Sequence, residues 1–212
     1  YAHLKSDGRL VRREQYGAGL SNSVIRSIHA HCRAALEKAK KENLIRQNPA
    51  VHCALPPKKS PEIEVLTPTE MQRLLIQAKY ETEGFYEMFL LDLSTGLRRG
   101  ELLGLRWDDI NFENGELRVS KQIRYFNGEL KIVPPKTKAA ERTIILPPQL
   151  VEILKQYKTR VRSQWLFPSP NKIEDVPRDP CACRKRLAKI LENAGCKHVP
   201  FHALRHTFAT QA

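Results

Sequence analysis

The sequence predicts a mainly α-helical protein with a small three-stranded antiparallel sheet, on three observations. Apolar residues recur at three- and four-residue steps over most of the 212 residues, the period of helices with one buried face. Between residues 114 and 146 the period changes to alternation, and two Asn-Gly pairs, Asn114-Gly115 and Asn127-Gly128, supply hairpin turn chemistry. A proline-rich stretch, Leu55-Pro56-Pro57-Lys58-Lys59-Ser60-Pro61, cannot be helical and divides the chain in two. The expected organisation is a helical segment at 1–57, a linker at 58–66 and a larger domain at 67–212.

The first strong helix runs from Ser23 to about Glu42, with Val24, Ile25, Ile28, Cys32, Ala35, Leu36 and Ala39 as its apolar stripe and Asn43 as its stop. Arg26, Arg33, Lys38, Lys40 and Lys41 make its other face basic. After the linker, Thr67-Pro68-Thr69-Glu70 combines an N-cap threonine, a proline at the first helical position and a glutamate three residues after the cap. That helix should reach Ala78, burying Met71, Leu74 and Leu75. A second should span Phe85 to Leu93 with Phe89, Leu90 and Leu93 inward, and a third Arg99 to Leu105. Leu117, Val119 and Ile123 alternate within one strand stretch, and Arg142 to Leu146 reads as the last strand. Helices resume at Pro148 to Arg162 and Cys181 to Ala194, and a final one opens near His202.

Composition narrows the classes of function. Lys and Arg number 36 against 23 Asp and Glu, a net charge of +13 with a pI near 9.7, which favours a polyanionic partner and first of all nucleic acid. The excess is concentrated at the start, with twelve basic and four acidic residues in 1–60 and twenty-four against nineteen thereafter. No apolar run approaches the ~20 residues that span a bilayer, so no membrane partner and a cytoplasmic location are expected. Five cysteines without a Cys-x-x-Cys pair read as reduced thiols, and the acidic residues show no metal-ligand spacing, so neither a metal nor a cofactor is expected.

Two stretches carry chemistry. Thr95-Gly96-Leu97-Arg98-Arg99-Gly100-Glu101-Leu102 puts an arginine where a turn enters a helix and a carboxylate three residues on; it reads either as an anion-binding fork or as a helix start with a surface ion pair. His202-Ala203-Leu204-Arg205-His206 sets His202 and Arg205 on one face of one helical turn, where they can share a ligand.

Together with the Pro135-Lys136-Thr137-Lys138 loop, these stretches resemble the tyrosine recombinases, or phage integrases, and in particular the integrases of conjugative transposons. Thr-Gly-Leu-Arg-x-x-Glu-Leu-Leu-Gly-Leu-Arg-Trp-x-Asp-Ile at 95–110 and Phe-His-x-Leu-Arg-His-Thr-Phe-Ala-Thr at 201–210 carry the likeness, in the family's order. The resemblance implies an integrase-type catalytic domain preceded by a partial helical core-binding domain, and a site-specific recombinase that cuts and rejoins double-stranded DNA through a 3′-phosphotyrosine intermediate. By it, Arg98 and Arg205 clamp the scissile phosphate, Lys136 delivers a proton to the leaving 5′ oxygen with Lys138 as its competitor, and His202 lies beside them. Glu101 supports the arginines, and Arg26, Arg33, Lys40, Lys41, Arg99 and Lys138 contact DNA. His206 is expected to pack within its helix bundle, and Asp108-Asp109 to form a structural helix-to-strand turn.

The family also implies a homotetramer on DNA and accessory DNA-bending or excision factors near the bacterial nucleoid. It places the nucleophilic tyrosine some tens of residues beyond the His-x-x-Arg helix. Tyr1, Tyr16, Tyr80, Tyr86, Tyr125 and Tyr157 all precede His202, so the nucleophile is expected outside these 212 residues, which would form a fragment inactive in strand cleavage. The alternative is a nonenzymatic DNA-binding fragment or competitor of an integrase.

Overall fold

In the computed structural model, the described residues are 2–58, 64–126, 129–134, 141–170 and 173–211. They divide into two compact units, Tyr1–Glu62 and Ile63–Ala212.

The first unit contains α1 (Ala2–Asp7), α2 (Arg13–Tyr16) and the long α3 (Asn22–Lys41), started by Ser21, whose side chain accepts from the Val24 amide. Asn43, at φ +58°, takes the left-handed conformation that ends α3. Of the expected stripe, Ile25 is fully buried and Ile28, Leu36 and Ala39 are half-buried, but Val24, Cys32 and Ala35 are exposed. Polar contacts do much of the closing instead. The Asn48 side-chain amide donates to the Arg33 carbonyl at 3.0 Å and to Glu37 Oε2 at 2.9 Å, while its oxygen accepts from the Ala50 amide.

The second unit has a continuous apolar core. α4 (Pro68–Ala78) opens with the capping box read from sequence: the Thr67 amide donates to Glu70 Oε2 at 2.8 Å and the Glu70 amide to Thr67 Oγ1 at 3.2 Å, an arrangement worth about 1 kcal/mol. α5 (Phe85–Thr95) packs between α4, α7 and α9. Its buried positions are Phe85, Glu87, Met88, Phe89, Leu91, Asp92 and Thr95, whereas the expected Leu90 and Leu93 are half-buried. Neighbours on several sides cover more of this helix than one amphipathic face. α6 (Arg99–Leu103) follows directly, and Glu101, Leu102 and Leu103 point inward.

The strands divide differently from the sequence reading. β1 (Ile110–Asn111), β2 (Glu116–Val119) and β5 (Arg142–Ile145) form a three-stranded antiparallel sheet in the order β1-β2-β5, with Leu117 opposite Ile144. β3 (Gln122–Phe126) and β4 (Glu129–Val133) form a separate hairpin, with Ile123 opposite Ile132. The alternation over Leu117 to Tyr125 is thus interrupted at Ser120-Lys121, where Lys121 Nζ turns to Asp109 at 2.5 Å. Asp109 also accepts from the Arg106 amide at 2.7 Å, so this residue of the acidic pair organises the turn into β1. The hairpin lies on α6, where a Cβ at Gly100 would come within 2.8 Å of the Ile123 carbonyl; glycine permits that approach.

α7 (Pro148–Lys158), α8 (Pro180–Asn193) and α9 (Phe201–Gln211) complete the unit. Phe201 stacks towards Phe89 at 6.1 Å between centroids, and Thr207, fully buried, accepts from the Leu66 amide at 3.1 Å. These contacts hold α9 against α5 and against the residue before the α4 cap. Among the described residues no helix is long and apolar enough to cross a membrane.

Candidate active site

The turn between α5 and α6 gathers the first arginine motif and the last helix. Gly96 ends α5 at φ +58°, a backbone conformation strained for any residue with a Cβ, and an added Cβ would meet the Phe208 ring of α9 at 2.4 Å. Because Gly96 turns the chain this way, its carbonyl accepts a 2.5 Å hydrogen bond from Arg205 Nη1. Two residues later Arg98, in extended conformation, starts α6. Residues 109 positions apart in sequence therefore meet at one short turn.

Glu101 holds the Arg98 side of that turn. It is 2% exposed and accepts three hydrogen bonds: from the Arg98 amide at 3.0 Å, from Arg98 Nη1 at 2.8 Å and from Arg142 Nη2 at 2.9 Å. Burial alone would raise its pKa, but the hydrogen bonds from Arg142 and Arg98 outweigh that and hold the carboxyl below its ordinary range. The Arg98 side chain stays 58% exposed, tethered by one edge of its fork and free to meet an oxyanion with the rest.

On α9, His202 is exposed and Arg205 half-buried, one helical turn apart on the same side. His206 is half-buried and meets the His202 ring edge-on at 5.9 Å between centroids, rather than packing into the core. Arg98, Arg205, His202 and Glu101 thus belong to one neighbourhood built by α5, α6 and α9. Lys136 and Lys138 lie outside the described residues; β4 and β5, which precede and follow them in sequence, are positioned by β3 and β2.

Two participants were missed by the sequence reading. Arg142 on β5 shares Glu101 with Arg98 and adds a third guanidinium to the cluster. Asp92 on α5 is fully buried, and among the described residues neither of its carboxylate oxygens has a hydrogen-bond partner. Burial raises its pKa well above the ordinary carboxylate range, with the neighbouring Arg205 opposing that shift and Glu101 adding to it.

The candidate DNA contacts differ in availability. Arg33, Lys40 and Lys41 are exposed on α3, whereas Arg26 Nη1 donates to the Pro56 carbonyl at 2.9 Å. Arg99 lies over the Phe201 ring at 6.0 Å. Among tyrosines with described side chains, Tyr157 is buried against Trp107 and Phe167, and burial pushes its hydroxyl pKa up. Tyr86 is the second residue of α5, about 15 Å along the helix from the arginine turn at 1.5 Å per residue. Among the described residues no group of His, Cys, Asp and Glu is placed to hold a metal ion.

Residues 64–212 match the sequence model of the phage integrase family. A tyrosine recombinase XerC-like protein of Caldanaerobacter subterraneus is 31% identical, over 92% of this chain and 56% of its own length. The transposase of transposon Tn916 from Enterococcus faecalis is 29% identical over 69% of this chain and 40% of its own. Among solved structures, the Tn1549 transposon integrase in complex with transposon right end DNA superposes with a TM-score of 0.76 at 26% identity, covering 95% of this chain and 69% of that one. The chain spans about half the length of the curated relatives it matches.

Proposed function

The chain belongs to the phage integrase family, and on that premise we propose that it is the phosphate-binding part of a site-specific DNA recombinase. The observation that carries the proposal is the hydrogen bond from Arg205 to the Gly96 carbonyl, two residues before Arg98, with His202 one helical turn from Arg205. Attack on a phosphodiester concentrates negative charge on its non-bridging oxygens, and two guanidiniums keep their charge at any working pH. Arg98 and Arg205 clamp those oxygens, while Glu101 fixes the Arg98 fork.

In the reaction proposed, a tyrosine oxygen attacks phosphorus, the bond to the 5′ oxygen breaks, and Lys136 gives that oxygen its proton. The 3′-phosphotyrosine bond retains the energy of the bond broken, so a free 5′ hydroxyl reverses the step without ATP, metal or cofactor. His202 lies beside the phosphate, and Lys138 is the alternative proton donor. Arg33, Lys40 and Lys41 are the exposed candidates for contact with the DNA backbone, joined by Arg26, Arg99 and Lys138. The substrate is double-stranded DNA, on which the intact recombinase assembles as a homotetramer with accessory DNA-bending or excision factors, in the bacterial cytoplasm near the nucleoid.

The nucleophile is proposed to lie outside these 212 residues, a reading supported by the burial of Tyr157 and the distance of Tyr86 along α5. That supports DNA binding without covalent cleavage as the behaviour of these residues alone. A nicked suicide duplex tests both readings. The 212-residue chain should give no covalent adduct, and a chain that includes the nucleophile should give one that survives denaturation. Arg98→Ala or Arg205→Ala in that longer chain should cut the adduct by about 10²-fold or more, with DNA affinity within about tenfold because many other cations bind the backbone. Full adduct yield from either variant overturns the clamp.

A further inference from the structure

Asp92 is a buried acid that the clamp as described does not use. It sits on α5 one turn before Gly96, whose amide donates to the Asp92 carbonyl at 2.8 Å and whose own carbonyl anchors Arg205. Its side chain is sealed from water at 0% exposure with both oxygens unpartnered among the described residues, a state that costs several kcal/mol when a carboxyl is charged and far less when it is protonated. We propose that Asp92 is a positioning residue for Arg205: from beneath the last turn of α5, its charge competes with a bound phosphate for the Arg205 guanidinium and so sets the strength of the anion clamp. The proposal rests on the reading of Arg205 as a phosphate ligand.

The charges that bear on Asp92 come from two elements, Arg205 on α9 and Glu101 on α6, the latter already neutralised by Arg98 and Arg142. The remaining α9 titratable groups, His202 and His206, face each other on the more exposed side. On α5 the other buried acid, Glu87, is paired with Arg160 at 2.8 Å. The packing partner α4 buries Leu74 and Ala78, and α7 buries Leu150, Val151, Leu154 and Tyr157, whose hydroxyl remains protonated. When Asp92 is neutral, the full charge of Arg205 is available to an oxyanion. When it ionises, the guanidinium gains an inward counter-charge, and anion binding weakens.

Linkage makes the coupling reciprocal: an anion that binds better when Asp92 is protonated must raise the pKa of Asp92 when it binds. Sulfate is the probe, since it does not titrate near neutrality. In the 212-residue chain with carbon-13-labelled aspartate, the Asp92 carboxyl is followed by NMR against pH without sulfate and with saturating sulfate. The expected result is an upward displacement of its midpoint by about half a pH unit or more, equivalent to about a threefold change in affinity. Asp92→Asn should bind sulfate at least about threefold more tightly than the parent above that midpoint, and with no dependence on pH across it. An Asp92 midpoint that sulfate does not move, with binding still lost in Arg205→Ala, overturns the role of Asp92 and leaves the clamp standing. Sulfate binding that is indifferent to both Arg98→Ala and Arg205→Ala overturns the clamp itself. A merely structural Asp92 would not respond to sulfate, and the parent titration decides the matter even if Asp92→Asn does not fold.

Discussion

Glu101 and Asp92 are both closed to water, at 2% and 0% exposure, but Asp92 lies deeper in the protein, and one accepts three hydrogen bonds whereas the other accepts none among the described residues. They lie on adjacent helices on either side of one turn, and each sits near an arginine of the proposed clamp. Desolvation pushes both pKa values up. At Glu101 the fork of Arg98, its amide and the Arg142 guanidinium more than offset that push, and the carboxyl is held charged. At Asp92 no donor among the described residues reaches the oxygens, desolvation prevails, and the neutral form is favoured. Low exposure alone therefore does not fix the state of an acid here; its depth and the geometry of its donors together do. The consequence for the site is unequal mobility of charge: Arg98 is tethered to a permanent anion, whereas Arg205 is tied to a carbonyl and stands near an acid whose charge can change.

The largest expected effect comes from removing the satisfied acid. Glu101→Ala removes the shared counter-ion of Arg98 and Arg142 and three charge-assisted hydrogen bonds at once; water reaches the half-exposed Arg98 and softens the loss, so about 3 kcal/mol is expected. Urea denaturation of the 212-residue chain measures it, with both units followed separately. A loss below about 1 kcal/mol, the level of an exposed pair, would mean that the two guanidiniums find other partners and that the contrast with Asp92 is small.

Arg142→Ala is the next step down. It removes one charge-assisted hydrogen bond from Glu101 and keeps the two from Arg98, for an expected cost of about 1.5–3 kcal/mol. The same denaturation series checks it, and a loss equal to that of Glu101→Ala would show that Arg98 contributes nothing to holding the acid.

How much of this was legible in the sequence depends on the range of the interaction. Thr67-Pro68-Thr69-Glu70 and Asn43 encode their helix ends within a few residues, and the structure forms both as read. The motifs around Arg98 and His202 were also local, and the resemblance joined them; the docking of Arg205 on Gly96 gives that join a physical form. Arg142 was read only as the start of a strand, because its partner Glu101 is 41 residues away and no local pattern links them. The break between β2 and β3 depends on Lys121 reaching Asp109 across a turn, so an alternating stretch read as one strand became two. Asp92 escaped notice because a polar residue in an amphipathic helix normally faces water, whereas α5 is packed against α4, α7 and α9 and keeps this one buried. On α3 the reverse holds: a stripe that includes Val24, Cys32 and Ala35 is apolar in sequence, and those three are exposed.

The effect that is smallest per step, and the most discriminating, is in how stability varies with each unit of pH. A carboxyl whose folded pKa is lowered contributes stability above its unfolded value and loses it as pH falls through the folded one; Glu101 is of this kind. A carboxyl whose folded pKa is raised behaves oppositely: the folded state holds a proton that the unfolded state has released, so stability falls as pH climbs from the ordinary aspartate value towards the raised one. Asp92 is of this kind, and one such proton changes the unfolding free energy by at most about 1.4 kcal/mol per pH unit. Chemical denaturation at a series of pH values should therefore show the advantage of the parent over Glu101→Gln shrinking in acid, while Asp92→Asn gains on the parent as pH rises above about 4. The amide that Asp92→Asn buries adds an offset that does not depend on pH, so the slope is the quantity to read. If the two difference curves run in the same direction, then Asp92 is charged in the folded protein like Glu101, and its unpartnered oxygens have found a donor.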